Sequence, residues 1–130
     1  MIETTGTEFI LIDSSGWFEY ITEDTKSQLF APYFESDSRR ILVSPIVIYE
    51  VRKLLLQRQS KKVADEFVSQ ALRHQLVLVD DRIAIDAAVF SIDYRLPMAD
   101  ALIYATAGAA SAQLITSDAH FNSLPGVTVL

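Results

Sequence analysis

Five short apolar runs punctuate the chain: FILI at 9–12, ILV at 41–43, LVLV at 76–79, QLIT at 113–116 and VTVL at 127–130. Each is continuous rather than alternating, the pattern of strands covered on both faces, as in a parallel sheet. Between them apolar residues recur at helical spacing. Ser44-Pro45 offers a cap and an N1 proline for a helix reaching about Gln57. Ser60 is placed to cap a helix over 61–74, where Val63, Ala64, Phe67, Val68, Ala71 and Leu72 share a face. Asp80 suits the cap of a helix over 82–91, and Pro97 opens another over 97–110. In 17–36 the pattern is less clear, because Pro32 must start a helix or kink one. Gly126 marks the turn before the last strand. Strands alternating with helices predict an α/β fold with a mainly parallel sheet, whose ligands bind at the carboxyl ends of the strands.

The charged residues that break this pattern carry the functional signal. Asp13 directly follows FILI, and Asp118 stands two residues beyond Thr116 at the end of QLIT. Taken alone, each reads equally as a helix cap. On a helical wheel Glu50 falls between Ile46 and Leu54, inside the apolar arc of its helix. It must therefore snorkel, bind something, or pair with Lys53 at i+3. Asp100 is the sharpest case, being the one charged residue between Arg95 and Asp118, in an Ala-rich helix expected to be buried nearly all round. A favourable helix dipole gives under about 1 kcal/mol, whereas desolvating an unpaired carboxylate costs several. Four carboxylates converging in one cleft would repel one another unless a cation joined them. Oxygen ligands select a hard ion, Mg²⁺ or Mn²⁺, able to activate water and neutralise a phosphodiester oxygen.

Composition narrows the alternatives. With 130 residues, 50% hydrophobic and 22% charged, the expectation is one globular domain over 1–130, with residues 1–8 a polar N-terminal extension. Cysteine is absent and the two histidines are His74 and His120, so thiolate and zinc-type sites are not expected. The N-terminus lacks a signal-peptide pattern. The longest uncharged run, 101–117, is 17 residues, short of a membrane span. The cytoplasm is the expected compartment. A net charge of −6 argues against nucleic-acid binding over the whole surface. Yet Arg52, Lys53, Arg58, Lys61 and Lys62 fall in a stretch, 51–64, with no acid. That stretch is either a solvated face or an attractor of RNA phosphates. The aromatics Trp17, Phe18, Tyr20, Phe30, Tyr33 and Phe34 divide between core and a candidate groove for a partner helix.

ILIDSS at 10–15, SPIVIYEV at 44–51, LPMADALIYATA at 96–107 and LITSDAHFNSLPGVTVL at 114–130 together resemble the PIN-domain ribonuclease family, most closely the VapC-type toxins of bacterial toxin–antitoxin pairs. The resemblance spans roughly 9–130, and the third segment, with its L-P-x-x-D-A-x-I-x-A-T-A pattern, is the most specific. It implies a three-layer α/β/α sandwich with a central sheet of about five strands. It further implies that Asp13, Glu50, Asp100 and Asp118 are the acidic catalytic, metal-binding set, supported by Ser14, Thr116 and Ser117. The implied activity is Mg²⁺- or Mn²⁺-dependent endonucleolytic cleavage of RNA, water attacking the phosphodiester in line. An antitoxin partner and a homodimer are implied as well. The rival readings are a PIN-like binding module and a free-standing RNA-processing nuclease. A phosphoacceptor receiver domain fits poorly, since no lysine follows Lys62, and a D-x-D phosphatase fails because Ser15 takes the second acid's place.

Overall fold

The computed structural model describes residues 9–35 and 40–130; the proposed extension, residues 1–8, lies outside them. Strand β1 (Phe9–Ile12) leads through α1 (Ser14–Thr22) and α2 (Ser27–Glu35) to β2 (Arg40–Val43). Helices α3 (Pro45–Arg58) and α4 (Lys61–Ala71) precede the short β3 (Gln75–Leu76). Then come α5 (Asp81–Tyr94), α6 (Met98–Ala109), β4 (Gln113–Thr116), a 3₁₀ turn (Ala119–Phe121) and β5 (Val127–Val129). All strand pairs are parallel, in the order β3-β2-β1-β4-β5, and helices flank the sheet. The expected α/β class is thus present.

The caps fall where the sequence places them. Ser44, Ser60 and Asp80 accept hydrogen bonds from the backbone N–H groups of Ile46, Val63 and Ile83. Pro45 is the first residue of its helix, and Pro32 sits inside α2. Central β1 is fully covered: Ile10, Leu11 and Ile12 have no exposed surface, and Leu114 and Ile115 of β4 pack in the same core with Trp17, Phe67 and Phe121.

Two expectations need correction. LVLV is not a strand buried on both faces: only Gln75–Leu76 is ladder, paired with β2 alone. Leu76 and Leu78 are exposed while Val77 and Val79 are partly buried, the alternation of a one-sided edge. The terminal run VTVL likewise forms an edge strand, β5. Nor is α6 buried all round. Its middle is, through Ala101, Ile103, Ala105, Thr106 and Ala107, but Met98 is 77% exposed. The first turn overhangs a cleft, so Asp100 is only half-buried. None of the described helices is long and apolar enough to cross a membrane.

Candidate active site

The strand order reverses direction at β1: the chain first builds outward through β2 and β3, then returns to the other side with β4 and β5. A crevice opens at such a switch point, beyond the carboxyl ends of the strands. Asp13 leaves β1 there and Asp118 follows the end of β4, while α3 and α6 contribute Glu50 and Asp100. All four line one cleft of about 490 Å³, together with Ser14, Ser15 and residues further along α3. The geometry therefore brings together the four acids picked out in the sequence.

Asp13 is the most enclosed, with 4% of its surface exposed. It caps α1 by accepting from the Gly16 N–H at 3.1 Å, so the cap reading and the site reading hold at once. Ser15 Oγ donates to its Oδ1 and Thr116 Oγ1 to its Oδ2, both at 2.6 Å. The same hydroxyls accept from the next strand's exit: the Ser117 N–H donates to Ser15 Oγ (3.0 Å) and the Asp118 N–H to Thr116 Oγ1 (2.9 Å). Two hydroxyls thus tie the end of β1 to the end of β4. Burial pushes the Asp13 pKa up to about 6; the bonds from Ser15, Thr116 and Gly16 oppose the rise and the Asp100 charge adds to it.

Glu50 accepts a short hydrogen bond from Ser14 Oγ. It forms no ion pair with Lys53 among the described residues, so the i+3 pairing that their spacing allows is not made. Burial raises the Asp100 pKa, and the charges of Asp118 and Glu50 raise it further, against a hydrogen bond from His120. Asp118 caps the 3₁₀ turn by accepting from the His120 N–H at 2.9 Å. The His120 ring closes the group, its Nδ1 lying 3.3 Å from both Asp100 Oδ2 and Asp118 Oδ1.

Asp100, Asp118 and His120 each offer a ligand atom, and these atoms lie within 4.8 Å of one another. That spacing, beside two further carboxylates with repelling charges, fits a metal ion. Sequence reasoning set His120 aside with the zinc chemistry it excluded, and passed over Ser15. The available signals were the D-A-H spacing, which folds the ring back over its capping Asp, and the second serine of Asp-Ser-Ser at the helix start. Of the supporting residues, Ser14 and Thr116 act through their hydroxyls, whereas Ser117 contributes its backbone N–H. The aromatics of 17–34 are largely internal: Trp17 and Phe30 are fully buried, and Phe34 packs edge-on to Trp17 and stacked on Tyr20.

The PIN-domain family model matches residues 10–127. No curated protein matches the chain. Among solved structures, a chain of a toxin–antitoxin complex from Klebsiella pneumoniae is similar at 20% identity, covering 92% of this chain and 96% of that one, with a TM-score of 0.75. VapC20 of Mycobacterium tuberculosis, a sarcin–ricin loop cleaving toxin, shares 17% identity over 80% and 85% of the two chains (TM-score 0.71). VapBC2 of Rickettsia felis, solved bound to a DNA fragment from its promoter, shares 15% over 94% and 97% (TM-score 0.73).

Proposed function

The chain belongs to the PIN-domain family, and from that premise we propose that it is a metal-dependent endoribonuclease, the toxin of a type II toxin–antitoxin pair acting in the cytoplasm. The observation that carries the reading is the crowding of Asp13, Glu50, Asp100 and Asp118 into one cleft, with the pKa values of Asp13 and Asp100 raised by burial and by neighbouring charge. A bound cation would offset that repulsion. Asp13, Glu50, Asp100 and Asp118 would hold Mg²⁺ or Mn²⁺. Such an ion supplies an activated water and neutralises charge on a phosphodiester oxygen.

The chain's own groups do the rest. Ser15 and Thr116 fix both Asp13 oxygens, so this carboxylate cannot swing as the cleft fills. Ser14 donates to Oε1 of Glu50 and holds this carboxylate in the cleft with the other acids. His120 restrains Asp100 and Asp118 together. An antitoxin that covers the cleft would silence the protein. A homodimer is supported by α5, where Ile85, Val89 and Ile92 form an exposed stripe at i, i+4 and i+7.

Purified protein with Mn²⁺ or Mg²⁺ should cut RNA, and Asp100→Asn should slow cleavage at least about 100-fold while weakening metal affinity by calorimetry. Absence of cleavage with either ion, with metal affinity unchanged in Asp100→Asn, would sink the assignment. For the toxin role, expression should arrest growth, and co-expression of an adjoining short reading frame for a DNA-binding protein should relieve it.

A further inference from the structure

The basic stretch that follows β2 divides in two. Arg52 and Lys61 both bind the Asp65 carboxylate, at 2.8 and 2.6 Å. Lys53 and Arg58 have no carboxylate partner among the described residues and stand over aromatic rings instead. Lys53 Nζ is 5.7 Å from the centre of the Tyr49 ring, and the Arg58 guanidinium is 5.9 Å from that of Phe18. Tyr49, Lys53 and Gln57 recur every fourth residue along α3, forming one strip. All three line the cleft, beside Glu50.

Tyr49 is 63% exposed, so its ring serves no core. The cleft therefore sets an open aromatic and an unpaired cation of α3 beside its acids, Tyr49 and Lys53 flanking Glu50 along the helix. A polyanion whose reacting phosphate sits over the acids would place its next phosphate and base against this rim. Resting on the nuclease reading above, we propose that Tyr49 and Lys53 form a subsite for one unpaired nucleotide of a single-stranded RNA. The base stacks on the Tyr49 ring and the adjoining phosphate pairs with Lys53. Duplex RNA cannot use the site, because its bases are already stacked inside the helix.

The test is fluorescence anisotropy of a short labelled oligoribonucleotide with Mg²⁺, in the Asp100→Asn background so that the RNA stays intact. Tyr49→Ala should weaken binding about 10-fold, while Tyr49→Phe, which keeps the stacking face, should bind like the parent. Lys53→Gln should lower the slope of log affinity against log salt by about 0.7. The same oligonucleotide annealed to its complement should bind more weakly and be indifferent to Tyr49→Ala. Thermal melting should show these exposed-residue variants to be as stable as the parent. If the unmodified protein cuts RNA but Tyr49→Ala binds single strands as well as the parent, or Tyr49→Phe fails to restore binding, the subsite is refuted and the nuclease reading stands. Neither binding nor cleavage of any RNA by the unmodified protein would overturn both.

Discussion

The Asp13 carboxylate accepts hydrogen bonds from Ser15, Thr116 and the Gly16 amide, each of which favours its charged form. Burial and the Asp100 charge nonetheless hold its pKa at about 6, above the ordinary 3.8. The folded protein thus binds this proton more tightly than the unfolded chain does. The resulting stability is complete below about pH 4 and is lost as pH rises through about 6. Across a rise of that size the loss is about 3 kcal/mol. Urea unfolding of the metal-free protein from pH 4 to 7.5 should show it as the difference between the parent and Asp13→Asn, the variant gaining relative stability at the alkaline end. Parallel profiles would show that the cleft hydrates Asp13 more than its burial suggests. Position after a buried run made Asp13 legible in the sequence. The donors around it were only half legible, because which serine faces which carboxylate depends on α1 and α3 meeting across the sheet edge. Ser14 reaches Glu50, 36 residues away, while its neighbour Ser15 turns back to Asp13.

At the scale of elements, local chemistry wrote most of the boundaries. Ser44, Ser60 and Asp80 cap the helices they precede, since capping needs only residues within three positions. Burial was less legible, because a continuous apolar run looks alike in the middle of a sheet and at its edge. The outermost strands lie at LVLV's first leucine and within VTVL, and no local signal distinguishes these runs from FILI. Gly16 is another position set by packing: a Cβ there would lie 2.4 Å from Ile12 Cγ2 and 2.6 Å from Phe30 Cε1, both side chains fully buried. In an open helix, Gly→Ala gains about 1 kcal/mol. Here overpacking of about 1–3 kcal/mol should win, and more if neither neighbour can yield. Gly16→Ala should therefore lower the denaturation midpoint. Ile12 directly precedes Asp13, so cleavage should fall as well, even where the variant remains folded. An unchanged or raised midpoint would mean that α1 can slide away from β1 at little cost.

Across the whole molecule, sequence order and function are linked by the switch point, which carries acids from positions 13, 50, 100 and 118 to one sheet edge. No pairwise spacing encodes that convergence; parallel strand order does. The same perspective gives meaning to α5, whose outer face is apolar through Ile85, Val89 and Ile92, the last 79% exposed. A stripe so open at the surface of a water-facing helix calls for a cover. Its ends carry both signs, Asp81 beside Arg82 at the start and Asp93 near Arg95 at the C-cap, so the stripe between them is its distinguishing feature. Two copies of α5 packed antiparallel about a two-fold axis near Val89 would set Ile85 of each copy near the partner's Ile92. Such a packing would bury the apolar stripe of each copy against the other. Ile92→Glu would place a carboxylate in that apolar contact twice over, and desolvating a charge there costs several kcal/mol. Sedimentation equilibrium should find the parent dimeric at micromolar concentration and Ile92→Glu at least about 100-fold weaker in self-association, with its thermal midpoint at low concentration unchanged. A parent that stays monomeric, or a variant that still dimerises, would assign the stripe to another partner.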